Sequence, residues 1–435
     1  MLETISSFFT AVAVAGTVAF AVFIAGNLVG LAMFVIQRRK GMAREREALD
    51  RPLPPEDELP HVVIQIPVYN EGKLVERAIE CAAALEWPYS RLHIQVCDNS
   101  TDETLEIARA KAQSMASGGI DVTVVHRDGR RDAKAGNLQM GVAAADPSHN
   151  YFAVFDVDYI PPRNYLRLCM APLISDPKLG FVQPRLDYLN RTENALTRGQ
   201  ALFYDSHYAT EEAMRCWRGQ ILLLKGSATL LRRKAIEDAG GWSGETLTED
   251  VDLSCRLWIS GWRGLFLISF AVPGELPATR RDWIAQQIRW TTGFGQAGRI
   301  RIPALLTRPP VPFWKRLEST MPMVSWWLMP VQAIVLFSVV AAIVLDPALL
   351  PTLGAANVLL LVAGEIAGFT QMRMACTFLH GDRIPLSAFA LDFLRWRQMG
   401  PFMLPGWARA YGTVICGGTG AFERTPKSGV ITRPG

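Results

Sequence analysis

The chain has no Cys-x-x-Cys pair and no cysteine and histidine spacing of the kind that holds a metal. Its seven cysteines, Cys81, Cys97, Cys169, Cys216, Cys255, Cys376 and Cys416, are odd in number and widely scattered. That pattern excludes a disulfide framework and leaves them as reduced core or membrane residues. Charge is scarce as well: 20% of the 435 residues are charged, against 49% that are apolar. The net charge of +4 comes without a long basic run, so there is no electrostatic footprint for nucleic acid. No internal repeat is present.

The largest gap in charge lies near the start. From Ile5 to Ile36 no charged residue occurs, a run longer than the roughly 20 residues that a helix needs to cross a bilayer. A cleaved signal peptide is the alternative, because Ala13-Val14-Ala15 imitates a cleavage site. Glu3 stands where a basic segment belongs, however, and the apolar run continues far beyond, so residues 1–40 are expected to form an uncleaved anchor. Arg38, Arg39, Lys40, Arg44 and Arg46 follow at once, which predicts a cytoplasmic location for the segment after them. Residues 51–60 carry four prolines and no apolar period, and 41–60 reads as a linker. Further spans are expected at Met321–Leu345 and Leu349–Phe369, joined by an external turn at Asp346-Pro347, with Arg373, Arg383, Arg395 and Arg397 marking the return to the cytoplasm. Glu365 falls inside the third span and is a functional candidate on that ground. Gln398–Phe422 is apolar but contains Pro401, Pro405 and Arg409, which suits an interfacial or re-entrant segment within a membrane-associated region 301–435.

Between these regions, residues 61–300 alternate strand and helix patterns. His61–Pro67, Leu92–Asp98, Asp121–His126 and Tyr151–Asp156 read as strands; Lys73–Leu85, Glu103–Met115 and Ala133–Ala145 read as helices. The alternation predicts an α/β domain with a mostly parallel sheet, whose ligand site lies at the carboxyl ends of the strands.

Polar residues cluster at those ends. Asp156-Val157-Asp158 closes a strand, and alternation would put both carboxylates on one side, a donor set suited to Mg²⁺ or Mn²⁺ on a diphosphate. Alone such a triplet is more often structural; its company raises it. Tyr69, Asn70 and Glu71 end the first strand and Asp98 the second, while Lys134 opens a helix whose N-terminus could face phosphate. Thr248-Glu249-Asp250 opens another helix, and by local pattern plain capping by Thr248 would explain it. Gln286, Arg289 and Trp290 share one helix face, either as ordinary core and surface or as a sugar platform beside a cation.

Taken in order, Asp98, Asp156-Val157-Asp158, Thr248-Glu249-Asp250 and Gln286-Gln287-Ile288-Arg289-Trp290 resemble the processive, cellulose synthase-like branch of glycosyltransferase family 2. IQIPVYNEG, WPYSRLHIQVCDNSTDET, KAGNL, FDVDYIPP, GGW, TEDVDLSCRLW, ELPATRRDWIAQQIRW and the terminal FERTPKSG are similar in particular to glucomannan and β-mannan synthase-like proteins. The resemblance is dense over Val62–Gly295. It implies a GT-A type, Rossmann-like cytoplasmic domain carried on N- and C-terminal membrane helices, and an inverting hexosyltransferase. The donor would be UDP-glucose, slightly favoured, or GDP-mannose. On this resemblance Tyr69 and Glu71 line the nucleoside pocket and Asp98 contacts the base. Lys134 meets the diphosphate, Asp156 binds donor groups, and Asp158 binds the metal with Asp156. Asp250 is the general base, and Gln286, Arg289 and Trp290 hold the acceptor. One departure stands out. Related proteins place an aromatic or an Asn-Gly pair before the small residues matched to Gly226-Ser227-Ala228-Thr229, whereas this chain has Leu224-Lys225. The rival expectations are single transfer to a membrane lipid and a scaffold without catalysis.

Overall fold

The computed structural model describes residues 2–420. The apolar run near the start becomes one long helix, α1 (Leu2–Leu49), which passes beyond the basic cluster without a break. Residues 41–49 are therefore helical rather than linker. Their face is held by the domain that follows. Glu45, almost fully buried, accepts hydrogen bonds from the Ser269 amide at 2.8 Å and hydroxyl at 2.5 Å. Gly41 lies flat on Trp217, where a Cβ would come within 2.2 Å of the indole.

Seven strands form one sheet in the order β3-β2-β1-β4-β6-β5-β7. They are β1 (Val62–Val68), β2 (Leu92–Asp98), β3 (Asp121–His126), β4 (Tyr151–Val154), β5 (Leu179–Tyr188), β6 (Thr229–Arg232) and β7 (Arg263–Gly274). All pairings are parallel except those of β6. The crossovers are α2 (Leu74–Ala83), α3 (Thr104–Ser117), α4 (Ala133–Ala144) and α5 (Tyr165–Ser175). Then come α6 (Ala195–Ser206), α7 (Ala213–Trp217), α8 (Arg233–Asp238) and α9 (Glu249–Ile259). β1 is apolar except for Gln65, and both β1 and β2 are buried on both faces, as a helix-covered parallel sheet requires. The order reverses at β1, which has β2 on one side and β4 on the other, and a crevice at such a switch point is where open α/β sheets bind ligands.

α10 (Arg280–Thr307) leaves the sheet and leads to α11 (Phe313–Val324), α12 (Leu328–Leu345), α13 (Ala355–His380), α14 (Leu386–Arg397) and α15 (Gly400–Ile415). Two stretches, Leu2–Leu49 and Pro347–His380, are long and apolar enough to cross a membrane. The span expected at Met321–Leu345 is different: α11 and α12 form a pair bent by 57°, with Pro330 in the first turn after the bend. The missing N–H and ring clash of proline account for a break that apolar content alone conceals. Small and polar residues seat α1 on its neighbours. Gly16 admits Val335, and Asn357 Nδ2 donates to Thr17 Oγ1 at 2.9 Å. Residues 400–415 of the segment expected to be interfacial form a helix with Pro405 inside it; the terminal FERTPKSG lies outside the described residues.

Candidate active site

A cavity of about 930 Å³ opens at the carboxyl ends of the strands and runs on between the membrane helices. Tyr69, Glu71, Lys134, Asp156, Asp158, Asp250, Gln286, Arg289 and Trp290 all line it. The segments that follow β1 and β4 supply Tyr69, Glu71, Asp156 and Asp158, the start of α4 supplies Lys134, the start of α9 supplies Asp250, and one face of α10 supplies the last three.

Lys134 is the hub. Its Nζ lies 2.5 Å from Asp156 Oδ1, 2.6 Å from the Gly226 carbonyl and 3.9 Å from Glu249 Oε1. Burial pulls its ammonium down, but Asp156 and Glu249 more than offset that, and the net shift is upward. Asp250 faces the same cation. Burial raises its carboxyl, against the lowering pull of Lys134, the Val251 amide and Arg289. Glu249 beside it is raised to about 7, by burial first and by the like charge of Asp250, with Lys134 opposing. Arg289 is lowered by burial, while Glu249 and Asp250 oppose. Gly226 makes the approach of these groups possible. It has φ +72°, and a Cβ there would lie 3.0 Å from Asp250 Oδ2. α10 comes close to the start of α9 for a similar reason, since a Cβ on Gly293 would fall 2.4 Å from the Thr248 methyl.

Several expectations change in detail. β4 ends at Val154, so Asp156 and Asp158 lie in a turn, closed by the Tyr159 amide on the Asp156 carbonyl at 3.0 Å. Strand alternation therefore does not apply: the Asp156 side chain is 34% exposed and Asp158 is fully buried, with Oδ2 receiving the Glu275 amide at 3.4 Å. Asp98 does not reach the cavity wall, where its neighbour Asn99 stands. Its buried carboxylate accepts from Ser100 Oγ at 2.6 Å and lies 2.7 Å from His126 Nδ1. Thr248 is no cap: its hydroxyl makes no bond to the helix and has no hydrogen-bond partner, and it lines the cavity. Arg130 lies over the Tyr69 ring at 4.1 Å. Glu365 also lines the cavity and is ion-paired with Arg397, Nε to Oε2 at 2.8 Å.

The cavity wall that adjoins Asp250 carries residues to which none of the motifs points. A π-helical turn at His207–Glu212 follows α6 and brings His207, Glu211 and Glu212 to the cavity. Beside it, Tyr188, Tyr204 and Tyr208 form an aromatic wall whose Tyr204 meets Trp290 edge-on at 6.2 Å. The spacing of Tyr204, Tyr208 and Glu212 at every fourth residue was the available signal, but the π-turn shifts the helical phase.

The comparisons agree with this architecture. Residues 151–367 match the family model described as glycosyl transferase family group 2. The probable glucomannan 4-beta-mannosyltransferase 10 of Arabidopsis thaliana is 33% identical over 307 residues, 68% of this chain and 55% of its own length. The glucomannan 4-beta-mannosyltransferase 2 of the same plant is 35% identical over 260 residues, 59% and 49% of the respective lengths. The chain thus spans about half the length of the curated relatives it matches. Among solved structures, the mannosyltransferase PcManGT from Pyrobaculum calidifontis, in complex with GDP-Man and Mn²⁺, superposes with a TM-score of 0.56 at 20% identity, covering 91% of this chain and 99% of that one. That likeness establishes the shared fold. Together with the ordered motifs, these matches make the chain a member of glycosyltransferase family 2, in its cellulose synthase-like branch.

Proposed function

We propose that the chain transfers mannose from GDP-mannose to the end of a growing β-linked polysaccharide at the membrane, with inversion at the sugar carbon. The observation that carries this reading is the single cavity in which Asp250 stands between the Lys134–Asp156 pair and the Gln286, Arg289, Trp290 face. The names of the plant relatives support mannose over glucose, and so favour GDP-mannose over UDP-glucose.

In this reading Tyr69 and Glu71 border the nucleoside and Lys134 the diphosphate, while Asp98 acts from behind by fixing Ser100 and His126. Trp290 offers an apolar face to the terminal acceptor ring, and Gln286 and Arg289 offer polar groups to its hydroxyls. Asp250 takes the proton of the attacking hydroxyl. The acceptor oxygen bonds to the sugar carbon as the bond to the diphosphate breaks, and the diphosphate leaves with the electron pair. One displacement converts an α-linked donor into a β-linked product. A base whose pKa is raised by burial is a stronger proton acceptor than an exposed Asp.

Asp156 and Asp158 fit a hard divalent cation by donor type, Mg²⁺ or Mn²⁺, and the Pyrobaculum enzyme, in complex with GDP-Man and Mn²⁺, supports a divalent metal. Among the described residues no group of three or more His, Cys, Asp or Glu stands ready to hold a metal alone, so diphosphate oxygens would complete the shell. When bound, such a cation supplies positive charge to the departing diphosphate. The domain plan that goes with this function is an anchor whose helix runs on to Leu49, a short linker up to residue 60, a cytoplasmic catalytic unit over 61–300 and a membrane-associated region from residue 301 onward. The basic residues after the first span support that orientation.

Transfer to a lipid acceptor is the second reading, favoured by the reach of the cavity to Phe20, Phe23 and Ile24 of α1. Membranes incubated with labelled GDP-mannose or UDP-glucose, with products separated by size and solvent extraction, distinguish these readings. The expected result is label from GDP-mannose in an insoluble product that grows with time. Label from UDP-glucose alone overturns the donor, and a solvent-soluble product of single addition overturns the polymer.

A further inference from the structure

The mechanism leaves one charged cluster in the cavity unused. Glu212 closes the π-helical turn, and such turns occur mostly as single-turn insertions in α-helices, frequently at functional sites. Its side chain has no exposure to bulk solvent, yet lines the cavity. Oε1 receives Lys225 Nζ at 2.8 Å and lies 3.3 Å from His207 Nε2 and 3.4 Å from Arg215 Nη1. Oε2 is buried and has no hydrogen-bond partner. Burial alone would raise this carboxyl, but Lys225, His207 and Arg215 hold it below the usual carboxylate range, so the oxygen is charged. A buried acceptor left without a donor is unfavourable by about 1–3 kcal/mol, and more for a charged one. The site is thus complete only when something in the cavity donates to it.

The surroundings define the donor. Lys225 Nζ lies 6.0 Å from the Tyr208 ring centre, Tyr208 stacks on Tyr204 at 6.4 Å, and Tyr204 meets Trp290 at 6.2 Å. Glu212 is therefore further along the same aromatic wall than the Trp290 position. Glu211 and Glu212 offset two of the charges of Lys225, Arg215 and His207, and Glu249 and Asp250 lie in the adjoining wall. A carboxylate or phosphate would meet four acidic side chains there; a neutral hydroxyl can donate without that repulsion.

We propose that Glu212 Oε2 accepts a hydrogen bond from a hydroxyl of a second, neutral sugar of the acceptor, one ring behind the sugar on Trp290. Lys225, whose Nζ lies 2.8 Å from Glu212 Oε1, is a positioning residue that fixes Glu212 for this contact. The inference rests on the reading that a glycan acceptor occupies the cavity.

The test compares kcat/KM for methyl β-mannoside and methyl β-1,4-mannobioside with GDP-mannose as donor, using the full chain in detergent. Wild type is expected to favour the two-ring acceptor, and Glu212→Gln to lower that ratio about 10- to 100-fold, the range of a hydrogen bond to a charged group. Lys225→Met should lower the ratio in the same direction by less. GDP-mannose affinity is measured on each preparation to report folding. If Glu212→Gln loses it, Glu212→Gln with Lys225→Met, which removes both charges together, carries the same comparison. An unchanged ratio, or an equal loss on both acceptors, overturns the subsite and leaves an ion pair with a purely structural role. Absence of transfer by wild type to either acceptor, with donor hydrolysis intact, overturns instead the glycan-acceptor reading on which the subsite rests.

Discussion

The two ends of the cavity are built by different means. At the sheet end the wall is a network: Lys134, Asp156, Gly226, Ser227 and Gln183 are tied by hydrogen bonds of 2.5–3.2 Å, and side chains from strand ends, loops and α9 are fixed by one another. At the bilayer end the wall is helix surface, with Phe20, Phe23, Leu361 and the Arg397–Glu365 pair, and behind it the helices are joined by contacts such as Asn357 to Thr17. The sheet end is suited to holding charge in one geometry. The bilayer end derives its shape from close approach of small residues, as where Gly16 of α1 admits Val335. Substitutions at the sheet end should therefore act on chemistry, and those at the bilayer end on packing.

The largest effect is expected at Asp250. Asp250→Asn removes the base without changing size, and kcat should fall by about 10²- to 10⁴-fold while GDP-mannose binding, measured by calorimetry, persists. Loss of binding together with turnover would mean that Asp250 holds the donor instead. Next is Trp290→Ala, on the boundary between the two ends. A product shortened or abolished at normal protein yield and nucleotide affinity fits the acceptor platform. Were Trp290 only core, packed on Tyr204, truncation would cost about 3–5 kcal/mol and reduce the folded yield.

A smaller, directional effect follows from Lys134. Its charge lowers the Asp250 pKa against the burial that raises it. Lys134→Met should thus raise the Asp250 pKa further, and the acid limb of the pH–rate profile, where the base must lose its proton, should move to higher pH. A limb that stays in place would separate Asp250 from Lys134. At the bilayer end, Asn357→Leu should destabilise by only about 0.6–1.7 kcal/mol, the range for hydrogen bonds between membrane helices, with kcat scarcely altered. A loss of activity larger than the loss of stability would show that the bilayer end takes part in chemistry.

The same contrast governs what could be read from the sequence. The sheet end was legible because each chemical group follows a strand or opens a helix: β1 to β4 and α2 to α4 lie within a few residues of their expected bounds. The family motifs also stand in the order in which the strands deliver them. Exposure was not legible. Asp156 and Asp158 look equivalent as letters, but the chain leaves β4 before them and turns, so that of these two cavity-lining carboxylates one is a third exposed and the other is fully buried. Asp98 likewise lies behind Asn99, because hydrogen bonds from Ser100 and proximity to His126 hold it there. At the bilayer end, apolar composition marked the helices but not the 57° bend between α11 and α12, nor the π-turn that brings Glu212 to the cavity. Both are features of backbone geometry, which side-chain periodicity does not encode.

The central claim is a single in-line displacement in which Asp250 deprotonates the acceptor. The configuration of the bond formed tests it most directly. Product made from α-linked GDP-mannose in membranes bearing only this chain would be examined by proton NMR of the new anomeric centre. The account predicts a β linkage at every newly added residue; an α linkage would require retention and would contradict it.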